Sequence, residues 1–276
     1  DEIVYAGHPS HRPGYGYDST VAQLRADDLR NFHKAFYHPN NAMLALAGAF
    51  DPTLALEMIE GAFGGWESDP AFALPAVPEL RRQSAPVEKY VHADKAQTNL
   101  YLGHLGVHRK HPDYYALLVM DTILGSSPGF TSRIPRVLRD EMGLAYSTFS
   151  NITGSAGVDP GRFVAFIGTS PANLDRAVDG LRREIARIVE QPVDAAELET
   201  AKSYLTGSFV FKFQTNAQIA SYMIDAEVFD LGFDFRDRYP QLIDRITVED
   251  VLRVARDHID PEAMTLVVVG PRAGVS

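Results

Sequence analysis

Residues 24–48 and 246–270 of this chain repeat one another at a constant offset of 222, with no gap. Leu24 pairs with Ile246, Asp27 with Glu249, Asp28 with Asp250 and Leu29 with Val251. Farther along, Pro39 pairs with Pro261, Leu44 with Leu266, Leu46 with Val268 and Gly48 with Gly270. Each copy reads as a helix with acidic residues in its first turn, a turn marked by Pro, and an apolar strand that ends at Gly. One such unit cannot bury its own apolar face, so a duplicate implies two similar domains. The second copy closes a stretch that begins near residue 86, whereas the first is reached after only 23 residues. The expectation is a tandem of similar domains, the first one incomplete, its earlier part lying upstream or on another chain.

The segment between the copies divides the chain further. Pro70, Pro75, Pro78 and Pro86 fall close together. Proline fixes φ and removes a backbone donor, so this stretch predicts an extended linker over 69–86. The expected domains are then 1–68, the C-terminal part of the first, and 87–276, a complete second one. Before the linker, the spacing predicts a helix over 21–37, a strand over 43–50 and a helix over 52–63. After it come strands over 87–92 and 98–106, and helices over 112–124 and 132–142, the latter ended by Gly143. Strands over 145–153 and 162–168 follow. The next helix carries Leu174, Val178, Leu181, Ile185 and Ile188 on one face. Asp194 and Glu197 have the spacing of a capping box. The chain then stays mostly helical to His258 and closes with a strand over 264–270. This order is not a strict βαβ alternation. It predicts an α+β fold: an antiparallel sheet with helices packed on one face.

Composition removes several function classes. There are no cysteines, which excludes disulfides, thiol nucleophiles and Cys-ligated zinc. A net charge of −10 argues against nucleic acid as a partner, because phosphate contacts need clustered Lys and Arg. No run approaches the ~18 apolar residues of a membrane span, so a soluble chain of the periplasm or cytoplasm is expected. There is no G-x-S-x-G elbow. The loop Gly125–Gly129 lacks the Lys-Ser/Thr ending of a phosphate-binding loop. Nine histidines are present, but no H-x-x-E-H. His104 and His108 stand four apart with His111 following, yet they lie on a strand and a turn, where that spacing does not converge on a metal. They read as solvated turn histidines, and no metal ligand is expected in this chain.

The stretch from Arg136 to Ser150 is the most informative. A helix carrying Arg139 is broken by Gly143, and Tyr146 opens the next strand. Arg offers a rigid fork of donors for peptide carbonyls, and a Tyr hydroxyl can stabilise an oxyanion. Read alone, Arg139 is a solvated helix residue and Tyr146 a half-buried strand residue.

Together with its surroundings, this stretch resembles the pitrilysin/insulinase family of zinc metallopeptidases, which includes the mitochondrial processing peptidases. His8-Pro9 with Arg12-Pro13-Gly14 is similar to the loop after that family's zinc-binding helices. Tyr37-His38-Pro39-Asn40-Asn41, then an apolar run to Gly48, is similar to the end of its first domain. The second domain is matched by Thr98 to Gly106, Pro112 to Leu117, Thr131-Ser132-Arg133, Gly143 to Ser147, Thr247 to Asp250 and Gly270-Pro271, in that order. The resemblance implies tandem α+β domains that pair, as a homodimer or a heterodimer with a zinc-bearing subunit, into a chamber that digests peptide substrates. It implies zinc in the parent protein or partner but none in this chain, which would be inactive alone. It also assigns Arg139 and Tyr146, seven apart, to holding the substrate backbone and stabilising the oxyanion. The rival reading is a non-catalytic scaffold subunit of a heterodimeric peptidase of the same family.

Overall fold

The computed structural model describes residues 1–127 and 132–271. Pro128 and Gly129 of the glycine-containing loop, and Thr131 of the Thr-Ser-Arg motif, lie outside the described residues. The α-helices described are α1 (Asp18–Val21), α2 (Ala26–Phe36), α3 (Pro52–Phe63), α4 (Tyr114–Asp121), α5 (Leu174–Glu190), α6 (Ala195–Phe209), α7 (Asn216–Val228), α8 (Phe235–Asp244) and α9 (Val248–His258). The strands are β1 (Val87–His92), β2 (Thr98–Leu105), β3 (Ala145–Asn151), β4 (Arg162–Thr169) and β5 (Thr265–Gly270). Two compact units result. One comprises residues 1–2, 6–79 and 210–233, the other residues 3–5, 80–209 and 234–276.

The larger unit is built on one five-stranded sheet of order β1-β5-β2-β4-β3. Its pairings are antiparallel except for β1 with β5, which run parallel. The strand period of two sorts the side chains cleanly. Leu100, Leu102 and His104 stand opposite Ile167, Ala165 and Phe163, and all six are buried. Tyr101 and Phe166, whose rings meet at 4.9 Å with a tilt of 45°, share the other face with Phe149, and Tyr101 and Phe149 are each 40% exposed. Helices pack on the first face, with α5 against β2 and β4. On α5, Leu181, Ile185 and Ile188 are fully buried, joined by Ala177, Gly180 and Glu184. On α9, Val251, Val254 and Ala255 have no exposed surface. The expected α+β class and one-sided helical layer are present.

In the smaller unit, the repeat predicted from sequence is visible in the backbone. The bounds of α2 and α9 differ by the same 222 residues, and so do those of the 3₁₀ turns Pro39–Asn41 and Pro261–Ala263. The caps match as well. Asp28 accepts from the Arg25 N–H at 2.8 Å, and Asp250 accepts from the Thr247 N–H at 3.0 Å. The copies diverge at the strand. Residues 265–270 form β5 between β1 and β2, whereas residues 43–48 join no ladder. A strand needs neighbours to receive its N–H and C=O groups, and the smaller unit has no other strand among the described residues. The expected strand over 43–50 is therefore absent. Helices α2 and α3 bury no residue, so Leu29, Phe32, Leu54 and Met58 remain exposed.

Two further expectations are corrected. The helix expected over 21–37 begins only at Ala26, because Arg25 adopts extended geometry as the N-cap of α2, and Val21 instead ends the short α1. The helix expected over 112–124 is α-helical over Tyr114–Asp121 and ends in a π-helical turn, Thr122–Ser126, and the one expected over 132–142 is π-helical over Pro135–Glu141. Such widened turns are rare and concentrate near functional sites. Gly125 in the first of them lies against the Ser150 backbone, where a Cβ would collide.

Asp121, at the end of α4, ties these pieces together. It is fully buried, accepting from the Ser150 hydroxyl at 2.8 Å and from the Ile152 N–H at 3.0 Å. Burial pushes its carboxyl up to about 6, although both hydrogen bonds favour the charged form. Between roughly pH 4 and 6 the folded chain holds a proton that the unfolded chain has lost, so stability falls as pH rises through that window. Asp121→Asn should gain on the natural protein by about 3 kcal/mol between pH 4 and 7 in urea unfolding. Parallel pH profiles for the two proteins would remove Asp121 from this role.

Candidate functional site

Arg139 and Tyr146 sit on two segments that pack against one another, the π-helical turn Pro135–Glu141 and strand β3. The turn ends through Gly143, which adopts φ 64°. That left-handed geometry is open to glycine at little cost and strained for other residues. Leu144 then donates its N–H to the Leu138 carbonyl at 2.8 Å, and Leu144 C=O accepts from the Thr169 hydroxyl at 2.7 Å. These bonds fix where β3 starts.

Tyr146 is the residue left over at a β-bulge. Ala145 pairs with Thr169 and Ser147 with Gly168, so Tyr146 has no partner across the ladder. A bulge re-aims a side chain, and here it leaves Tyr146 92% exposed on an edge strand, not half-buried as its strand position alone implied. Beside it lies an open hollow of about 340 Å³, lined by Gln97, Gly143, Tyr146, Gly168, Thr169 and Asn173 among others. The Arg139 side chain is 24% exposed and forms a fork with its neighbour, Nε to Asp140 Oδ1 at 2.8 Å and an Nη to Oδ2 at 3.4 Å. Arg139 is not among the lining residues of that hollow.

Arg133, from the Thr-Ser-Arg motif, is a structural residue. Its side chain is 3% exposed and grips Glu197 through two bonds, of 2.9 Å and 2.6 Å. Glu197 also accepts from the Asp194 N–H at 3.1 Å, as the capping box requires. One carboxylate thus caps α6 and neutralises a buried guanidinium.

The histidines separate by environment. His104 is fully buried, which lowers its pKa to about 4. One ring nitrogen lies 2.8 Å from the Leu105 carbonyl and the other accepts from the Asp260 N–H at 3.3 Å, the pattern of a neutral ring that carries its proton on Nδ1. His111 instead meets Asp113 and His258, a residue 145 positions away from Asp113. Sequence spacing gave no sign of that meeting. The family's H-x-x-E-H pattern does not occur in the sequence, and this grouping brings Arg253 onto Asp113 at 2.8 Å rather than a free glutamate base. The residues present do not fit the hydrolytic zinc centre of the family, and no catalytic step through zinc is assigned to them.

An α+β domain with helices on one side of its sheet and an exposed Tyr on a bulged edge strand defines a class of fold, and comparison with known proteins places the chain within it. The model of the peptidase M16 inactive domain matches residues 23–205, and the chain belongs to that family. It is 29% identical over 265 residues to an uncharacterized zinc protease of Streptomyces coelicolor, covering 94% of this chain and 56% of the relative. It is 28% identical over 297 residues to a probable mitochondrial-processing peptidase subunit beta of Schizosaccharomyces pombe, covering 100% of this chain and 63% of that one. Among solved structures, a peptidase M16 inactive domain from Pseudomonas fluorescens superposes with a TM-score of 0.88 at 23% identity, over 100% of this chain and 65% of the other. The chain therefore spans little more than half the length of the curated relatives it matches. The family resemblance carried by the order of the motifs is thereby shown.

The turn that positions Tyr146 can be tested directly. Gly143→Ala should cost about 1 kcal/mol, because alanine must adopt a left-handed φ there. Urea unfolding unchanged within error would mean that the turn relaxes at no cost.

Proposed function

We propose that this chain is the C-terminal part of a zinc-dependent, peptide-degrading endopeptidase and supplies the substrate-binding side of its active site. The observation that carries this reading is Tyr146, exposed on a bulge of an edge strand that packs against the turn bearing Arg139. An extended peptide laid along that edge meets a phenol hydroxyl and a guanidinium. Arg139 binds carbonyl oxygens of the substrate backbone, exchanging its fork to Asp140 for them. Tyr146 donates its hydroxyl hydrogen to the oxyanion that forms when the scissile carbonyl is attacked. Zinc and the general base come from another segment or subunit, so this chain alone is inactive. Residues 1–68 are read as the end of one domain, 69–86 as a linker and 87–276 as a complete second domain.

Pairing follows from the same reading. The exposed apolar residues of α2 and α3 are the kind of surface that a partner covers, and the partner is a zinc-bearing polypeptide of the same family, in a homodimer or a heterodimer. Together they enclose the chamber in which peptides are cut. Names of the relatives support the chemistry: zinc protease for the bacterial one, and mitochondrial-processing peptidase subunit for the yeast one.

In the assembled enzyme, Arg139→Ala and Tyr146→Phe should each lower kcat by about 10²-fold or more, with the fold and zinc content unchanged. Unchanged kcat in both variants would end the catalytic reading and favour its rival, in which the chain is a scaffold subunit.

A further inference from the structure

The cluster His111, Asp113 and His258 has no part in the reading above, yet its chemistry is specific. One ligand atom from each residue lies within 4.8 Å of the other two. The His258 Nε2 stands 2.8 Å from Asp113 Oδ2, with side-chain exposures of only 12% and 18%. The His111 ring lies edge-to-face on the His258 ring at 4.8 Å, and the His108 ring flanks His111 at 5.6 Å. Two elements bring these groups together. His111 and Asp113 lead into α4, and His258 ends α9, which packs along α4.

We propose that His111, Asp113 and His258 form a structural site for a divalent transition-metal cation of the zinc class, which clamps the start of α4 to the end of α9. Two imidazoles and one carboxylate are a donor set that zinc, cobalt(II) and nickel(II) accept, with water or His108 completing four ligands. The cation takes the place of the proton now lying between His258 Nε2 and Asp113 Oδ2. Tetrahedral coordination at about 2.0–2.2 Å needs ligand atoms roughly 3.3 Å apart, so that contact opens slightly and His111 closes in. Both groups suit the exchange. The hydrogen bond from Arg253 holds the Asp113 carboxyl down to about 2, so the ligand is anionic at neutral pH. Burial and the neighbouring His258 lower the pKa of His111.

Two contacts oppose binding and set its strength. His111 Nδ1 accepts from the Asp113 N–H at 3.1 Å, and coordination gives up that bond. Arg253 places a cation 2.8 Å from an Asp113 oxygen. Affinity is therefore weaker than in closed structural zinc sites, with Kd on the order of 10⁻⁶ M. The site also differs from a hydrolytic one, because the carboxylate of the cluster, Asp113, is itself a ligand.

The test is a zinc chloride titration of the untagged chain at pH 7.5, read by calorimetry and by competition with a chromophoric chelator. One ion per chain is expected at that affinity, with a rise of a few degrees in the melting temperature at excess zinc. His258→Ala and His111→Ala should each weaken binding at least tenfold, and His33→Ala should leave it unchanged. His111 lies in a half-exposed turn, so its variant should stay folded if His258→Ala does not. Arg253→Met should tighten binding several-fold by removing the competing cation. Cobalt(II) should show the intense visible bands of a four-coordinate site, lost in His111→Ala. Binding that is equally strong in all three histidine variants would be adventitious and would overturn the proposal, as would no binding at all.

Discussion

The ladder that seats β5 between β1 and β2 closes the larger unit and makes α9 a core helix. A strand is not an intrinsic property of residues such as Leu266, Val267 and Val268. It exists because His92, Asn99 and their neighbours receive its backbone groups. The first copy of the repeat proves the point by contrast. Helix α2 and its cap form as in α9, because their hydrogen bonds are local. Residues 43–48 stay outside any ladder, and the apolar residues of α2 stay exposed. The local helix and its cap survive in that unit, and the strand, which depends on neighbouring strands, does not.

This division also explains how much of the architecture could be read from the residues alone. Helices α3 and α5 and strands β1, β2 and β5 follow from period and punctuation, and the repeat predicted the bounds of α2 and α9 in relation to one another. The π-helical turns were not legible, since Thr122–Ser126 and Pro135–Glu141 carry ordinary helical spacing. Their widening answers tertiary demands, among them the close approach of Gly125 to Ser150 and the buried Asp121 bonds. The bulge at Tyr146 was equally hidden, because a bulge is a property of two strands in register and the sequence shows one at a time.

For function, the same limits separate the two sites. Arg139 and Tyr146 read alone as ordinary helix and strand residues, and it was the family resemblance of the stretch around Gly143 that singled them out. The His111–Asp113–His258 cluster could not be singled out, because it joins residues 145 positions apart through the packing of α4 on α9. His104 looked like part of a histidine group in sequence and is instead a neutral core residue bonded on both ring nitrogens. Arg133 shows the converse: a residue of a family-like motif serves to hold the helix α6 cap in place.

The central claim is that this chain completes an active site whose zinc lies elsewhere. The most direct measurement is hydrolysis of an unstructured peptide by the zinc-bearing segment or subunit, reconstituted with and without this chain. The account predicts cleavage only when both are present and none from this chain by itself. Cleavage at an equal rate when the chain is left out would contradict it.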